Sequence, residues 1–236
     1  MTTETSPPFI WYGPYHLTAL GLTLSLLLII GFVAKHYRTP VQQRRIALFL
    51  ALAFIGFYGW ITILEVRGGF WSLAEGLPFH LCDISAITLS YAAITRRFWA
   101  FEAGYYWGLG GGLAGLLMPE LPYEDIYAAP FFFWHALLVA TPCYLVLAYG
   151  LRPTFGGIFR TLGITALLAL PIGLAVWLIP NANYMFLGHA PIAAEALGMP
   201  SWPYYIPYIG LLGLVLFSIL YAPFWIMARL QRKHGQ

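Results

Sequence analysis

The stretch YHLTALGLTLSLLLIIGFVA, residues 15–34, decides the fold, because it runs for twenty residues without a formally charged side chain. A helix needs about 20 mainly apolar residues to cross the hydrocarbon core of a bilayer. Six more segments are similarly apolar, at 46–64, 78–95, 101–118, 128–149, 161–179 and 205–228. The sequence therefore predicts an all-α, polytopic membrane protein with seven transmembrane helices.

The composition agrees with a chain whose main solvent is lipid. Of the 236 residues, 60% are hydrophobic and only 9% are charged, whereas a soluble domain carries about 25% charged residues. This excludes a soluble enzyme, and the net charge of +3 is too sparse for a nucleic-acid-binding surface. No linker or internal repeat divides the chain, so we expect one domain over residues 1–236, located in the cell membrane.

The basic residues predict how the helices are oriented. Basic connections between spans stay in the cytoplasm, so we expect an N-terminus outside the cell and a cytoplasmic C-terminus. Among the twelve Lys and Arg residues, Arg67 alone is predicted on the outer face. The other eleven are predicted on the cytoplasmic face: Lys35, Arg38, Arg44, Arg45, Arg96, Arg97, Arg152, Arg160, Arg229, Arg232 and Lys233.

The fourth segment carries glycines three and four residues apart, at Gly104, Gly108, Gly111, Gly112 and Gly115. In membrane proteins, small residues at this spacing let a second helix approach closely. We therefore expect the fourth helix to pack tightly in the bundle.

Polar side chains inside the spans are candidates for function, because burying them in lipid costs several kcal/mol. Cys82 lies in LPFHLCDIS, residues 77–85, about 6 Å below Pro78, and His135 lies on the order of 6–12 Å below the outer end of the fifth span. Both residues thus sit near the outer headgroups. A thiol near a helix N-terminus and an imidazole at equal depth predict a nucleophile and its base.

Four further residues are candidates for supporting roles. Asp83 either orients an imidazole or caps the helix, and His80 projects from a different side of the helix than Cys82. Asn183 and Tyr184 lie in the connection after the sixth span. They either donate hydrogen bonds to an oxyanion or headgroup, or tie this long connection onto the mouth of the bundle.

Four segments together resemble the YwaF-like bacterial membrane proteins, a group related to animal transmembrane protein 164. They are LPFHLCD (77–83), YWGLGG (106–111), WH (134–135) and NYMFL (183–187). The resemblance implies an acyltransferase that moves a fatty-acyl chain from a phospholipid to a lysophospholipid. It also implies a cysteine nucleophile at Cys82 and a histidine partner at His135, with no cofactor. With the orientation above, this site faces the extracytoplasmic side.

Other classes remain open at this point. If water replaces the lipid acceptor, the same site is a lipid hydrolase. A metal-dependent hydrolase is a weaker alternative, since its ligands would come from three separate elements and no His-x-x-x-His pair is present. The candidate zinc ligands are His80, Cys82, Asp83, His135 and His189. A scaffold is a further alternative, as is a transporter, although the apolar midplane of the spans argues against transport.

Overall fold

The computed structural model describes residues 7–124, 127–191, 194 and 197–234, and seven long α-helices lie within these ranges. The 3₁₀ turn Tyr184–Phe186 lies between the last two helices. Each predicted segment corresponds to one helix, which confirms the all-α prediction. The helices are α1 (Pro14–His36), α2 (Pro40–Gly68), α3 (Leu81–Thr95), α4 (Phe98–Leu117), α5 (Ala128–Tyr149), α6 (Phe155–Leu178) and α7 (Tyr205–His234).

The helices differ in length and in apolar character, the two properties that a membrane span requires. Helix α3 is apolar but shorter, with 15 residues, and α4 contains Glu102 together with several glycines and tyrosines. Within the described residues, five helices are long and apolar enough to cross a bilayer: Pro14–His36, Pro40–Gly68, Ala128–Tyr149, Phe155–Leu178 and Tyr205–Arg232.

Local sequence signals set several helix ends. Pro40 occupies the first turn of α2, where its missing N–H costs nothing. The Thr39 hydroxyl accepts a hydrogen bond from the Gln42 backbone N–H, and the Gln42 side chain accepts one from the Thr39 N–H. This capping box satisfies two N–H groups that the helix leaves free. Helix α5 ends at Gly150, whose φ of 66° is the left-handed conformation that favours glycine.

Hydrogen bonds gather the basic connections at one end of the bundle, which we call the basic end. The Gln43 amide at the start of α2 donates to the Ala148 carbonyl near the end of α5, over 2.8 Å. The Tyr144 hydroxyl of α5 donates back to the Gln43 carbonyl, over 3.1 Å. Helices α2 and α5 therefore run antiparallel, with the start of one beside the end of the other.

A buried carboxylate joins α4 and α6 at the basic end. Glu102 is only 3% exposed, and Arg160 pairs with it in the one ion pair found among the described side chains. The backbone N–H and hydroxyl of Thr154 donate to its other oxygen, over 2.9 and 2.6 Å. A buried charge needs such partners, so this cluster fixes the start of α6 against α4.

The opposite end of the bundle is closed by the residues before and within the first turn of α1. His16 is fully buried. Its Nδ1 accepts from the Tyr12 N–H over 2.9 Å, and its Nε2 lies 2.7 Å from the Leu116 carbonyl. The Trp11 indole donates to the Pro119 carbonyl over 3.3 Å. The start of α1 is thus held against the end of α4.

Helices α4 and α5 form the centre of the bundle. Helix α4 contacts α3, α5, α6 and α7, whereas α5 contacts α1, α2, α3 and α4. The outward faces carry large apolar side chains such as Leu28, Phe49, Leu170 and Trp177, all more than two-thirds exposed. Exposed apolar area of this extent needs a non-aqueous cover, and it supports an integral membrane protein.

Glycines bring α4 close to its neighbours, as the sequence predicts. A Cβ on Gly104 would lie 2.7 Å from the Leu89 side chain of α3, and one on Gly108 would lie 2.9 Å from the Leu138 carbonyl of α5. A Cβ on Gly112 would lie 2.9 Å from the Val139 side chain. Gly111 differs, because a Cβ there meets nothing within 4 Å.

This difference predicts opposite effects for two neighbouring alanine substitutions. Gly108→Ala places a methyl group against backbone, so we expect a loss of about 1–3 kcal/mol of stability, typical of overpacking. Gly111→Ala adds helix propensity of about 1 kcal/mol without a clash and should be neutral or stabilising. Thermal unfolding of both purified variants in detergent checks this. Equal melting temperatures for the two variants would contradict the packing described here.

Candidate active site

The polar residues of the predicted site lie where α3 begins. The predicted third span starts at residue 78, but the helix itself begins at Leu81, because residues 78 and 79 form a turn and His80 has an extended backbone. His80 is the residue that precedes the helix. Its backbone N–H donates to the Asp83 carboxylate over 3.2 Å. Asp83 therefore caps α3, and the cap places Cys82 in the first helical turn.

The Cys82 thiol lies between an acceptor and a donor. It donates toward the Asp83 carboxylate, with 3.8 Å between Sγ and Oδ1. On another side, the indole of Trp134 in α5 lies close enough to the same sulfur to interact with it. The Cys82 residue as a whole is partly buried. The Cys82 thiol thus has a carboxylate acceptor on one side and the Trp134 indole of the neighbouring helix on another.

Tyr58 of α2 completes this side of the pocket, and nothing in the sequence singles it out. Its hydroxyl donates to the Gly76 carbonyl over 3.3 Å, and its ring lies 6.2 Å from the Trp134 ring. It is close enough to interact electrostatically with Asp83 and Cys82. We define Tyr58, Cys82, Asp83 and Trp134 as the thiol pocket.

Tyr184 holds the connection between α2 and α3 in place. Its hydroxyl donates to the Leu73 carbonyl over 2.8 Å and accepts from the Leu77 N–H over 3.1 Å. Its ring packs edge-on against His80, with 5.1 Å between centroids. Burial raises the pKa of the Tyr184 phenol above its usual value, so the hydroxyl keeps its proton at neutral pH. Tyr184 fixes the backbone that leads into Cys82.

Asn183 organises the connection after α6. Its side-chain oxygen accepts from the backbone N–H groups of Gly188 and His189, over 3.0 and 2.9 Å. Its amide nitrogen donates to the His189 carbonyl over 3.1 Å. These bonds close residues 183–189 into a compact loop whose neighbour, Tyr184, reaches the start of α3.

His135 lies on α5, one residue after Trp134. Consecutive helical residues point about 100° apart, so Trp134 is directed at Cys82 whereas the His135 ring packs against Gly115 of α4. The His135 Nδ1 lies 2.8 Å from the Phe131 carbonyl. Because a carbonyl only accepts, Nδ1 carries a proton, so in the neutral form of the ring the lone pair lies on Nε2.

The structure thus divides the predicted site residues into separate groups. Cys82, Asp83 and His80 share the first turn of α3, and Tyr184 contacts them through His80. Asn183 contacts His189. His135 contacts Gly115 and Phe131, and Trp134 is the residue of this segment that reaches the thiol.

Cys82 and His135 nevertheless occupy the same level of the bundle. Gly115, against which His135 packs, belongs to the last turn of α4. The last turn of α4 and the first turn of α3 both lie at the opposite end from the basic end. The equal depth that the sequence predicts for the two residues therefore agrees with the helix arrangement.

The metal-dependent alternative needs several ligands at one point. Over the part of the chain that the structure describes, no group of three or more His, Cys, Asp or Glu residues is arranged to hold a metal ion. His189 is exposed in its loop and bonded to Asn183, whereas the His135 ring of α5 packs against Gly115 of α4. These side chains do not converge as zinc ligands would.

Comparison with known proteins assigns the chain to a family. It is 26% identical over 222 residues to an uncharacterized protein of Treponema pallidum (strain Nichols), covering 92% of this chain and 90% of that protein. No solved structure matches. The model of the TMEM164 family matches residues 11–221, which is most of the helical bundle. The chain belongs to the TMEM164 family.

Proposed function

We propose that this protein is a membrane-embedded phospholipid acyltransferase with Cys82 as its nucleophile and His135 as its base. The observation that carries the proposal is the Cys82 thiol, held in the first turn of α3 with the Asp83 carboxylate 3.8 Å away. Membership of the TMEM164 family supports the same assignment. The donor is a phospholipid and the acceptor a lysophospholipid, and neither cofactor nor metal is required.

All seven helices cross the bilayer in this proposal. Helix α3 spans about 22 Å at 1.5 Å per residue, and residues 78–80 lengthen its path toward the opposite end. Helix α4 is buried over most of its length between α3, α5, α6 and α7. Its glycines, tyrosines and Glu102 therefore face protein rather than lipid, so a lower hydropathy does not prevent it from crossing.

The basic end lies in the cytoplasm and the thiol pocket near the outer leaflet. Support comes from the basic side chains, which cluster in the connections α1–α2, α3–α4 and α5–α6. Cys82, in the first turn of α3, then lies near the level of phospholipid ester bonds. A lipid can reach this level sideways from the bilayer, without leaving the membrane.

In the first half-reaction the Cys82 sulfur attacks the acyl carbonyl carbon of the donor. The carbon–sulfur bond forms, the ester carbon–oxygen bond breaks, and the thiol proton passes through His135 to the departing lysolipid. The first N–H groups of a helix lack intrahelical partners, and at the start of α3 those of Leu81 and Cys82 are suited to stabilise the oxyanion.

In the second half-reaction the acceptor hydroxyl attacks the thioester. His135 takes the hydroxyl proton through its free Nε2 lone pair and returns it to the Cys82 sulfur as the carbon–sulfur bond breaks. Asp83 is a supporting residue that accepts the thiol hydrogen bond, and His80 packs behind it on Tyr184. We assign Asn183 and Tyr184 to the headgroup side, through the loop that they hold.

Loss of Cys82 should abolish acyl exchange. Vesicles of mixed phosphatidylethanolamine, phosphatidylglycerol and phosphatidylcholine are incubated with purified protein and deuterium-labelled lysophospholipids, and the labelled products are measured by mass spectrometry. We expect exchange by the wild type, background signal for Cys82→Ala, and wild-type exchange for Cys143→Ala as the matched control. Release of free fatty acid in place of exchange would make the enzyme a hydrolase, and inactivity of the wild type would contradict the proposal.

A second comparison in the same assay distinguishes the role of His135 from that of Asp83. Removing a general base costs about 10²–10⁴-fold in rate, so we expect His135→Ala to fall in that range. Asp83→Asn keeps a side chain that can accept the cap bond from His80 and should lose less. A larger loss for Asp83→Asn than for His135→Ala would transfer the role of base from His135 to Asp83.

The orientation predicts which ends of the helices face the cytoplasm. In a bacterial inner membrane, alkaline phosphatase inserted after residue 74, in the α2–α3 connection, should be active. The same enzyme inserted after residue 38, in the α1–α2 connection, should be inactive, and green fluorescent protein there should fluoresce. The reverse pattern would place the thiol pocket on the cytoplasmic side and contradict the assignment to the outer leaflet.

A further inference from the structure

A cavity lies at the basic end, at the opposite end of the bundle from the thiol pocket. It is bounded by the end of α1, the start of α2 and the end of α5, and it has a volume of about 310 Å³. Its lining divides into a polar side and an apolar side. The lining residues are Gly31, Ala34, Lys35, Arg38, Gln43, Leu147 and Ala148.

The polar side of this cavity carries two cations. Arg38 is positioned by a hydrogen bond from its Nε to the Lys35 carbonyl, over 2.6 Å, which leaves its terminal N–H groups for another acceptor. Within the described residues, Glu102 is the carboxylate of the basic end, and Arg160 already pairs with it. Lys35 and Arg38 therefore line the cavity, and among the described residues no neighbouring carboxylate neutralises their charge.

Of the three helix ends around the cavity, the start of α2 is the one that favours an anion. Helix α2 begins at Pro40, two residues after Arg38, and the N-terminal end of a helix carries a partial positive charge. Gln43, in the first turns of α2, holds α5 in place through Ala148. The polar side thus combines two cationic side chains with the positive end of a helix.

The apolar side of the cavity is suited to an alkyl chain. Gly31 and Ala34 of α1 present little or no side chain, and Leu147 of α5 is 58% exposed. A Cβ on Gly31 would meet nothing within 4 Å, so there is open space beside this turn of α1. Gly31 lies about 6 Å closer to the middle of α1 than Lys35 does, at 1.5 Å per residue.

We propose that this cavity binds an anionic phospholipid of the cytoplasmic leaflet. Lys35 and Arg38 contact the phosphate group, and the first part of an acyl chain lies against Gly31, Ala34 and Leu147. Basic pockets between transmembrane helices on the cytoplasmic side suit such headgroups. The apolar wall favours a lipid over free phosphate, which shares the anionic group but has no chain to place there.

Native mass spectrometry of the full-length protein in detergent tests this site. The probes are phosphatidylglycerol, phosphatidylcholine with the same acyl chains, and inorganic phosphate. One variant removes the charge, Lys35→Gln with Arg38→Gln. A second, Gly31→Leu, keeps the charge and fills the open space. The matched control removes two exposed arginines from the same end of the bundle on another helix, Arg229→Gln with Arg232→Gln.

We expect the wild type to bind phosphatidylglycerol more tightly than phosphatidylcholine. Both site variants should weaken phosphatidylglycerol binding at least about tenfold, on the scale expected for two cationic contacts, whereas the control pair should change it less than twofold. Equal loss in the control pair, or unchanged binding in Gly31→Leu, would overturn the proposal. Inorganic phosphate that binds as tightly as the lipid would assign the cavity to a soluble anion instead.

The folding of each variant is checked by thermal unfolding in detergent without added lipid. Gly31→Leu replaces a glycine inside a helix with a residue of higher helix propensity and should unfold at or above the wild-type temperature. If the charge variant unfolds early, Gly31→Leu alone decides the question. Because the thiol pocket lies at the other end of the bundle, Cys82→Ala should leave this binding unchanged.

Discussion

The close packing of α4 against α3 and α5 is the contact on which the rest of the structure depends. Gly104 admits the Leu89 side chain of α3, and Gly108 admits the Leu138 carbonyl of α5. Gly115 admits the His135 ring at the end of the same helix. One helix of small residues thus sets the distance between the helix that carries Cys82 and the helix that carries His135.

Buried polar side chains have different kinds of partners at the two ends of the bundle. At the basic end, Glu102, Arg160 and Thr154 form a closed set of partners, which locks α6 to α4. At the opposite end, the Asp83 carboxylate lies beside the Cys82 thiol rather than a cationic side chain, and Cys82 is only partly buried. A closed cluster contributes to stability, whereas a partly open one can exchange its partners with a substrate. This contrast supports chemistry at the opposite end.

The sequence predicts the helices well because apolar runs of this length have few other uses. The sequence also predicts the close approach of α4 to its neighbouring helices, because the spacing of its glycines can be read directly from the sequence. The depth of Cys82 and His135 follows from counting residues along a helix. These three results depend on length and composition, which a single sequence contains.

The direction of the side chains could not be predicted in the same way. Spans that are apolar on all sides give no period from which to read helix rotation, so nothing marks Trp134 rather than its neighbour His135 as the residue facing Cys82. Tyr58 is missed for the same reason. The start of α3 at Leu81 depends on the Asp83 cap, and the sequence left two interpretations of Asp83 open. The buried ion pair of Glu102 joins residues 58 positions apart, which local patterns do not reveal.

The central claim is that Cys82 carries the acyl group, and intact-protein mass spectrometry tests it most directly. Purified protein is incubated with a phospholipid donor in the absence of an acceptor and then quenched in acid. We expect a mass increase equal to one acyl chain, removed by hydroxylamine, in the wild type and Cys143→Ala but not in Cys82→Ala. Acyl exchange without such an adduct, or an adduct that persists in Cys82→Ala, would contradict it.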